Sequence, residues 1–279
     1  MSAVAEDPGR TVAVTLATRD VAPVLPRLVA KWDTLVALTM SDVRARYGRG
    51  PWRLVKWLLD PFAAVGVYLL LVTFVLNRPG TAPGLTVACA VVPFQLVMLS
   101  VVNANGAIRL RRSIILNGQF DRTLIPVASV LTETLAFAAS IGLLALTMVG
   151  YRISPTMAIV WLPVVVALNM VFALSWAYPS ALMGLWFPDL RVFTVSFVRT
   201  LFFLAPGLIA LADVHGRTHD LLRLNPLTGL FEAYRAVLLY GHRPEAWTIL
   251  YPLGFSLVLV AIFLPIFIRE QRHFAKVVE

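Results

Sequence analysis

Glu133 and Arg199 are ionisable side chains set inside otherwise apolar runs, and chemistry in this sequence would start from them. A charge at membrane depth is costly, so such a residue is a functional position by default. Counted from Pro126 and Arg191 at about 1.5 Å per helical residue, the two lie roughly 10 and 12 Å from the same edge. At matching depth they can pair, Arg199 can face a polar conduit, or each can snorkel to the interface.

Basic groups gather elsewhere. Between Ile108 and Pro126 stand Arg109, Arg111, Arg112 and Arg122 against a single acid, Asp121, with long uncharged stretches on both sides. Ile114, Ile115, Gly118, Phe120 and Leu124 interrupt these charges, so the segment is either a solvated loop or a short helix for a soluble partner to grip. A second group, Arg44, Arg46, Tyr47 and Arg49 with Arg53 and Lys56, precedes the first apolar run. It reads as an anchor to acidic lipid or, since guanidinium pairs well with phosphate oxygens, as a seat for a phosphate-bearing headgroup.

Other chemistries are poorly supplied. His215 and His219 are four apart with Asp220 adjacent, but Gly216 lies between them and no third ligand is evident, so an exposed polar loop is the better reading and no metal is expected. The lysines Lys31, Lys56 and Lys276 follow Ala30, Val55 and Ala275, which rules out a P-loop for ATP. No paired-carboxylate, G-x-S-x-G or H-E-x-x-H arrangement supports an enzyme. Cys89 is the single cysteine, which leaves no disulfide framework.

The elements that must position these residues follow from composition. Of 279 residues, 59% are hydrophobic and 14% charged, far from the soluble norm, so the expected fold is an all-α integral membrane protein. The net charge of +9 flanks apolar runs and does not form a soluble basic face, which argues against nucleic acid. Apolar length predicts six spans: Trp57 to Leu76, Leu85 to Ala107, Pro126 to Gly150, Met157 to Leu185, Val192 to Ala212 and Trp247 to Ile268. Residues 1–22 read as a flexible tail without a signal peptide, and 270–279 as a basic tail. Within 23–56, Leu25, Leu28, Val29, Trp32, Leu35, Val36, Thr39, Met40 and Val43 share one helical face, the pattern of an interfacial helix.

The spans, residues 57–269, enclose two distinctive segments, 108–126 and 213–246. Basic residues crowd the N-terminal segment, the 108–126 loop, Arg191 and the tail, which puts both termini in the cytoplasm. Residues 213–246 begin polar and continue into an apolar helical pattern too short to cross, with Pro226 after Asn225 at its start and Gly241 at its end. They read as a re-entrant or surface helix on the outer face.

Three stretches carry a resemblance: SDVRARYGRGPWRLVKWLLDP (Ser41 to Pro61), PDLRVFTVSFVRTLFFLAPG (Pro188 to Gly207) and NPLTGLFEAYRAVLLYG (Asn225 to Gly241). In order and spacing the chain resembles the permease subunits of ABC-2 type transporters, and among them exporters of lipid-linked polysaccharides such as O-antigen and teichoic acid. It departs at LNGQFDRTLIP, where that family is usually richer in Lys and Pro.

The resemblance implies a homodimer in the bacterial plasma membrane, bound to two copies of a separate ATPase that holds ATP and Mg. The chain itself would have no cofactor. It implies that Arg109, Arg111, Arg112, Phe120, Asp121 and Arg122 belong to a coupling helix. The interfacial helix would be a gate, with Arg44, Arg46, Tyr47 and Arg49 near lipid headgroups, and the Asn225 to Gly241 segment an outer cap. Spans 1, 2 and 5 would line the path, making Tyr68, Phe74, Phe197, Arg199, Phe202 and Phe203 conduit candidates, although any one aromatic can equally be a packing or lipid-facing residue. Arginine in preference to lysine, with much Ala and Val, suggests a GC-rich genome and a polyprenyl-diphosphate-linked cell-wall galactan as cargo. An exporter of a drug or small lipid, and a membrane transferase acting on polyprenyl-linked sugars, are the competing readings.

Overall fold

Apolar runs in a bilayer have to be helical, because backbone groups find no water there. The computed structural model describes residues 24–48, 59, 62–68, 70–71, 82–117 and 120–274, and all regular structure among them is helical. In chain order the helices are α1 (Val24–Tyr47), α2 (Pro83–Leu110), α3 (Arg112–Asn117), α4 (Leu124–Gly150), α5 (Leu162–Trp186), α6 (Arg191–Phe203), α7 (Arg217–Arg223), α8 (Pro226–Leu238) and α9 (Ala246–Glu270). Four stretches are long and apolar enough to cross a membrane: α2, α4, Met157–Trp186 and α9. They coincide with the expected spans 2, 3, 4 and 6. Of the expected first span, residues 62–68 are helical and most of the rest lies outside the described residues.

The fifth expected span is corrected. It was to run from Val192 to Ala212, but α6 ends at Phe203 after 13 residues, a length of roughly 20 Å against the roughly 30 Å of a bilayer core. Pro206 disfavours helical geometry in the residue before it. At Gly207 a side chain is barred as well, since a Cβ there would stand 2.6 Å from the Phe202 ring. The chain then turns through the short Leu211–Asp213 helix into α7 and α8.

α2 is the axis of the bundle, packed on α5 and α4. Small residues let α5 approach it: Ala173, Ala177 and Ala181 are buried, and a Cβ on Gly184 would lie 1.8 Å from the Asn105 carbonyl oxygen. Polar side chains then bridge the two helices. Ser180 Oγ donates to the Val101 carbonyl at 2.7 Å, Asn105 Nδ2 to the Ser180 carbonyl at 3.3 Å, and Asn169 Nδ2 to the Pro93 carbonyl at 3.4 Å. Asn105, a polar residue inside an apolar run, thus makes a helix contact.

α8 begins and ends as its sequence predicts. The Asn225 side chain accepts from the Leu227 amide at 3.0 Å, Pro226 takes the first helical position, and Gly241 adopts φ +67° beyond its end. Nearly every residue from Leu227 to Leu238 is buried, against α9, α2 and α5. This helix is enclosed by protein, so the surface-helix alternative fails.

α1 divides its apolar stripe between two environments. Leu35, Leu38, Thr39 and Val43 are buried, the two leucines against Ala128, while Val29, Trp32, Val36 and Met40 stay exposed at helical spacing. One half faces protein; the other is free for a membrane surface.

Candidate functional sites at the two ends of the bundle

At the arginine-rich end, two ion pairs fasten α1 to the segment around α3. Lys31 Nζ lies 2.8 Å from Asp121 Oδ2, and Arg111 pairs with Asp42. Burial alone would raise the Asp121 carboxyl, but hydrogen bonds from Lys31 and Thr123 outweigh it and hold the group below the usual carboxylate value. Arg122 donates to the Gln271 carbonyl just past α9 and, at 3.5 Å, to that of Ile115. Arg111 also donates to the Ala107 carbonyl at 3.3 Å and is 6% exposed.

These placements sort the expected coupling residues. Arg111, Asp121 and Arg122 serve internal contacts, and half-buried Phe120 packs on the core. Arg109 and Arg112 remain on the surface, Arg109 donating to the Leu185 carbonyl at 3.5 Å. Around them Leu110, Ile114 and Leu116 are exposed, at 82%, 40% and 41%, whereas Ile115 is buried. Exposed apolar side chains among arginines form the surface a partner could grip. Arg44 is exposed on α1; Arg49 and the side chains of Arg46 and Tyr47 lie outside the described residues.

Above this end, α1, α2 and α4 enclose a polar cavity of about 330 Å³, reached by Asp42, Asn103, Arg111, Ser129, Thr132 and Glu133. Glu133 is buried and Asn103 Nδ2 donates to its Oε1 at 2.7 Å. Arg199 lies exposed on α6, which packs on α2. The proposed Glu133–Arg199 pair is therefore corrected: equal depth on two helices does not make them neighbours.

The exposed face of α6 has two stripes. Ser196, Arg199, Thr200 and Phe203 recur at helical spacing and are exposed, with Val192, Phe193 and Phe197 beside them. Phe193 and Phe197 stack with ring centres 6.3 Å apart. Phe202 is 1% exposed, 4.6 Å from the Phe94 ring and 5.9 Å from that of Phe231, so it is a packing aromatic and not a conduit residue. Tyr68, half-buried, lies 5.4 Å from Phe202; Phe74 lies outside the described residues.

The opposite end is held by a hub that sequence reasoning missed. Arg235 is fully buried: its Nη1 lies 2.7 Å from Glu232 Oε1, its Nε and Nη2 donate to the Thr86 carbonyl at 3.3 Å, and Nη2 donates to that of Gly207 at 3.2 Å. Glu232 Oε1 also accepts from the Leu211 amide at 3.0 Å, and Asn225 Nδ2 donates to the Leu201 carbonyl at 3.0 Å. Thus α8 supplies donors and an acceptor to the backbone that α6 leaves open where it breaks, as irregular backbone buried in a membrane protein requires. The signal in the sequence is a Glu and an Arg three apart on an otherwise apolar helix. His219 Nδ1 sits 3.3 Å from Asp220 Oδ1, and among the described residues no three metal-ligating side chains gather.

Comparison with known proteins gives relatives along nearly the whole chain, although no family model matches it. An O-antigen export system permease of Myxococcus xanthus is 28% identical over 246 residues, covering 87% of this chain and 94% of the relative. Two O-antigen export system permeases of Klebsiella pneumoniae are 23% and 24% identical, each over 88% of this chain and 95% of the relative. These proteins are named as membrane subunits of export systems, transporters and not enzymes. Over most of its length, then, the chain is similar to the permeases of O-antigen export systems.

Proposed function

We propose that this chain is the membrane subunit of an ATP-driven exporter that moves a polyprenyl-diphosphate-linked polysaccharide from the cytoplasmic to the outer face of the bacterial plasma membrane. The observation that carries the reading is the exposed stripe of Ser196, Arg199 and Thr200 on α6. The Thr200 hydroxyl donates to the Ser196 carbonyl at 2.9 Å, but the Arg199 guanidinium facing hydrocarbon would be costly, and facing a second copy across a wet path it is satisfied. Phe203 at the end of that stripe and the stacked Phe193 and Phe197 beside it offer flat faces to sugar rings.

The remaining parts then take consistent roles. By the excess of basic residues, the end bearing α3 is cytoplasmic. The chain has no nucleotide-binding loop of its own, so the work comes from a separate ATPase, which docks on Leu110, Ile114 and Leu116 with Arg109 and Arg112 around them. Two copies of each subunit complete the transporter, and α7 and α8 are the outer cap. A large cargo on a lipid anchor suits a path between copies better than one through a packed monomer.

Co-purification of the chain with its ATPase and reconstitution into vesicles tests this. Lipid-linked glycan should stimulate ATP hydrolysis, and depletion in cells should leave the glycan lipid on the cytoplasmic side. Hydrolysis indifferent to the glycan, with no such build-up, would overturn the reading.

A further inference from the structure

A second cavity, of about 370 Å³, opens at the capped end between the Leu211–Asp213 turn, α7, α8 and the start of α9. Its walls differ in kind from the apolar bundle beneath. The rings of Tyr240 and His242 lie nearly parallel, 5.8 Å between centres and 8° apart. Trp247 shares the lining, with the Arg223 guanidinium 4.5 Å from the centre of its ring. Two carboxylates complete the lining, and both are held in place. Glu232 is fixed by the Leu211 amide and Arg235, and Glu245 by the Trp247 indole N–H, which donates to its Oε2 at 2.6 Å.

A carboxylate offers about four acceptor positions, so Glu232 and Glu245 keep lone pairs for a ligand. Arg223 lines the same space as a donor, and the His219 ring borders it. Fixed acceptors, donors and flat aromatic faces in one cavity match a ring with an apolar C–H face and an edge of hydroxyls. Two carboxylates disfavour an anion. A metal ion lacks a cluster of three ligands among the described residues. A hydrocarbon tail would leave the polar walls without water or partners.

We propose that this cavity binds an uncharged sugar residue of the polysaccharide at the outer mouth of the transporter. Its placement on the outer face and the source of its ligand rest on the export reading; its chemistry does not. The site would hold the chain between power strokes and oppose its slipping back.

Saturation-transfer NMR on the full chain in lipid nanodiscs tests the site, with neutral disaccharides of galactose, mannose and rhamnose as probes and glucuronic acid in parallel. Magnetisation should reach the ring C–H protons of at least one neutral sugar. Trp247→Ala and Glu245→Gln should each weaken that binding about tenfold or more, while Leu250→Ala, exposed one turn further along α9, should leave it unchanged. Glu245 is exposed, so its amide variant keeps the fold. Absence of transfer to every neutral sugar, equal binding of glucuronic acid, or indifference to both Trp247→Ala and Glu245→Gln would overturn the proposal. Loss of the site leaves export standing if depletion still strands glycan lipid inside; binding without that build-up would sink export and spare the site.

Discussion

Arg235 shows what a single charge can do in an apolar setting. A buried guanidinium is tolerated only if its donors are matched, and here Glu232 and the carbonyls of Thr86 and Gly207 take them. Arg235→Met leaves Glu232 without its counter-charge and frees two carbonyls, so it should destabilise the protein by about 3–5 kcal/mol, read as a drop in thermal midpoint in detergent. Arg199 is the opposite case. It is exposed, so Arg199→Gln should leave the midpoint unchanged yet slow vesicle transport about tenfold, or about 1.4 kcal/mol in the barrier. Normal transport in that variant would remove Arg199 from the path.

Among elements, α1 is the one whose attachment is polar and therefore adjustable. Lys31–Asp121 and Asp42–Arg111 tie it to both sides of the α3 segment, so in our reading displacement of that segment by the ATPase would be transmitted to α1. The Asp121 carboxyl has a depressed pKa in the folded chain. Its stabilisation is therefore present above the ordinary carboxylate value of about 3.9 and lost as pH falls through the lower folded value. Hydrogen exchange of α1 amides should accelerate in that acid range, and Asp121→Asn should show faster exchange already at neutral pH with a smaller acid step. Close packing governs the α2–α5 pair instead. Gly184→Ala forces a Cβ into the Asn105 carbonyl, and overpacking of this kind costs about 1–3 kcal/mol. A thermal midpoint equal to that of the unchanged chain would show that α5 can shift aside freely.

For the molecule as a whole, the two ends divide the work. One end presents Leu110, Ile114 and Leu116 to the cytoplasm in our reading, and the other closes over α8. Ile114→Asp puts a charge into the surface assigned to the ATPase, so it should reduce co-purification of the two subunits about tenfold without altering the isolated chain's thermal midpoint. Unchanged co-purification would move the docking surface elsewhere.

Apolar length, turn residues and charge by themselves determined the four long helices, the amphipathic α1 and the limits of α8 at Asn225, Pro226 and Gly241, because these depend on local backbone chemistry and on the cost of burying charge. The three motifs added the resemblance to ABC-2 type permeases. Tertiary structure alone decided which residues meet. It separated Glu133 from Arg199, put Phe202 in the core, turned Arg111, Asp121 and Arg122 inward and ended α6 at Phe203. The reason is that depth along a helix is set by counting residues, whereas rotation about its axis and the choice of neighbour are set by packing across distant stretches, as with Gly184 on Asn105 and Arg235 on Thr86.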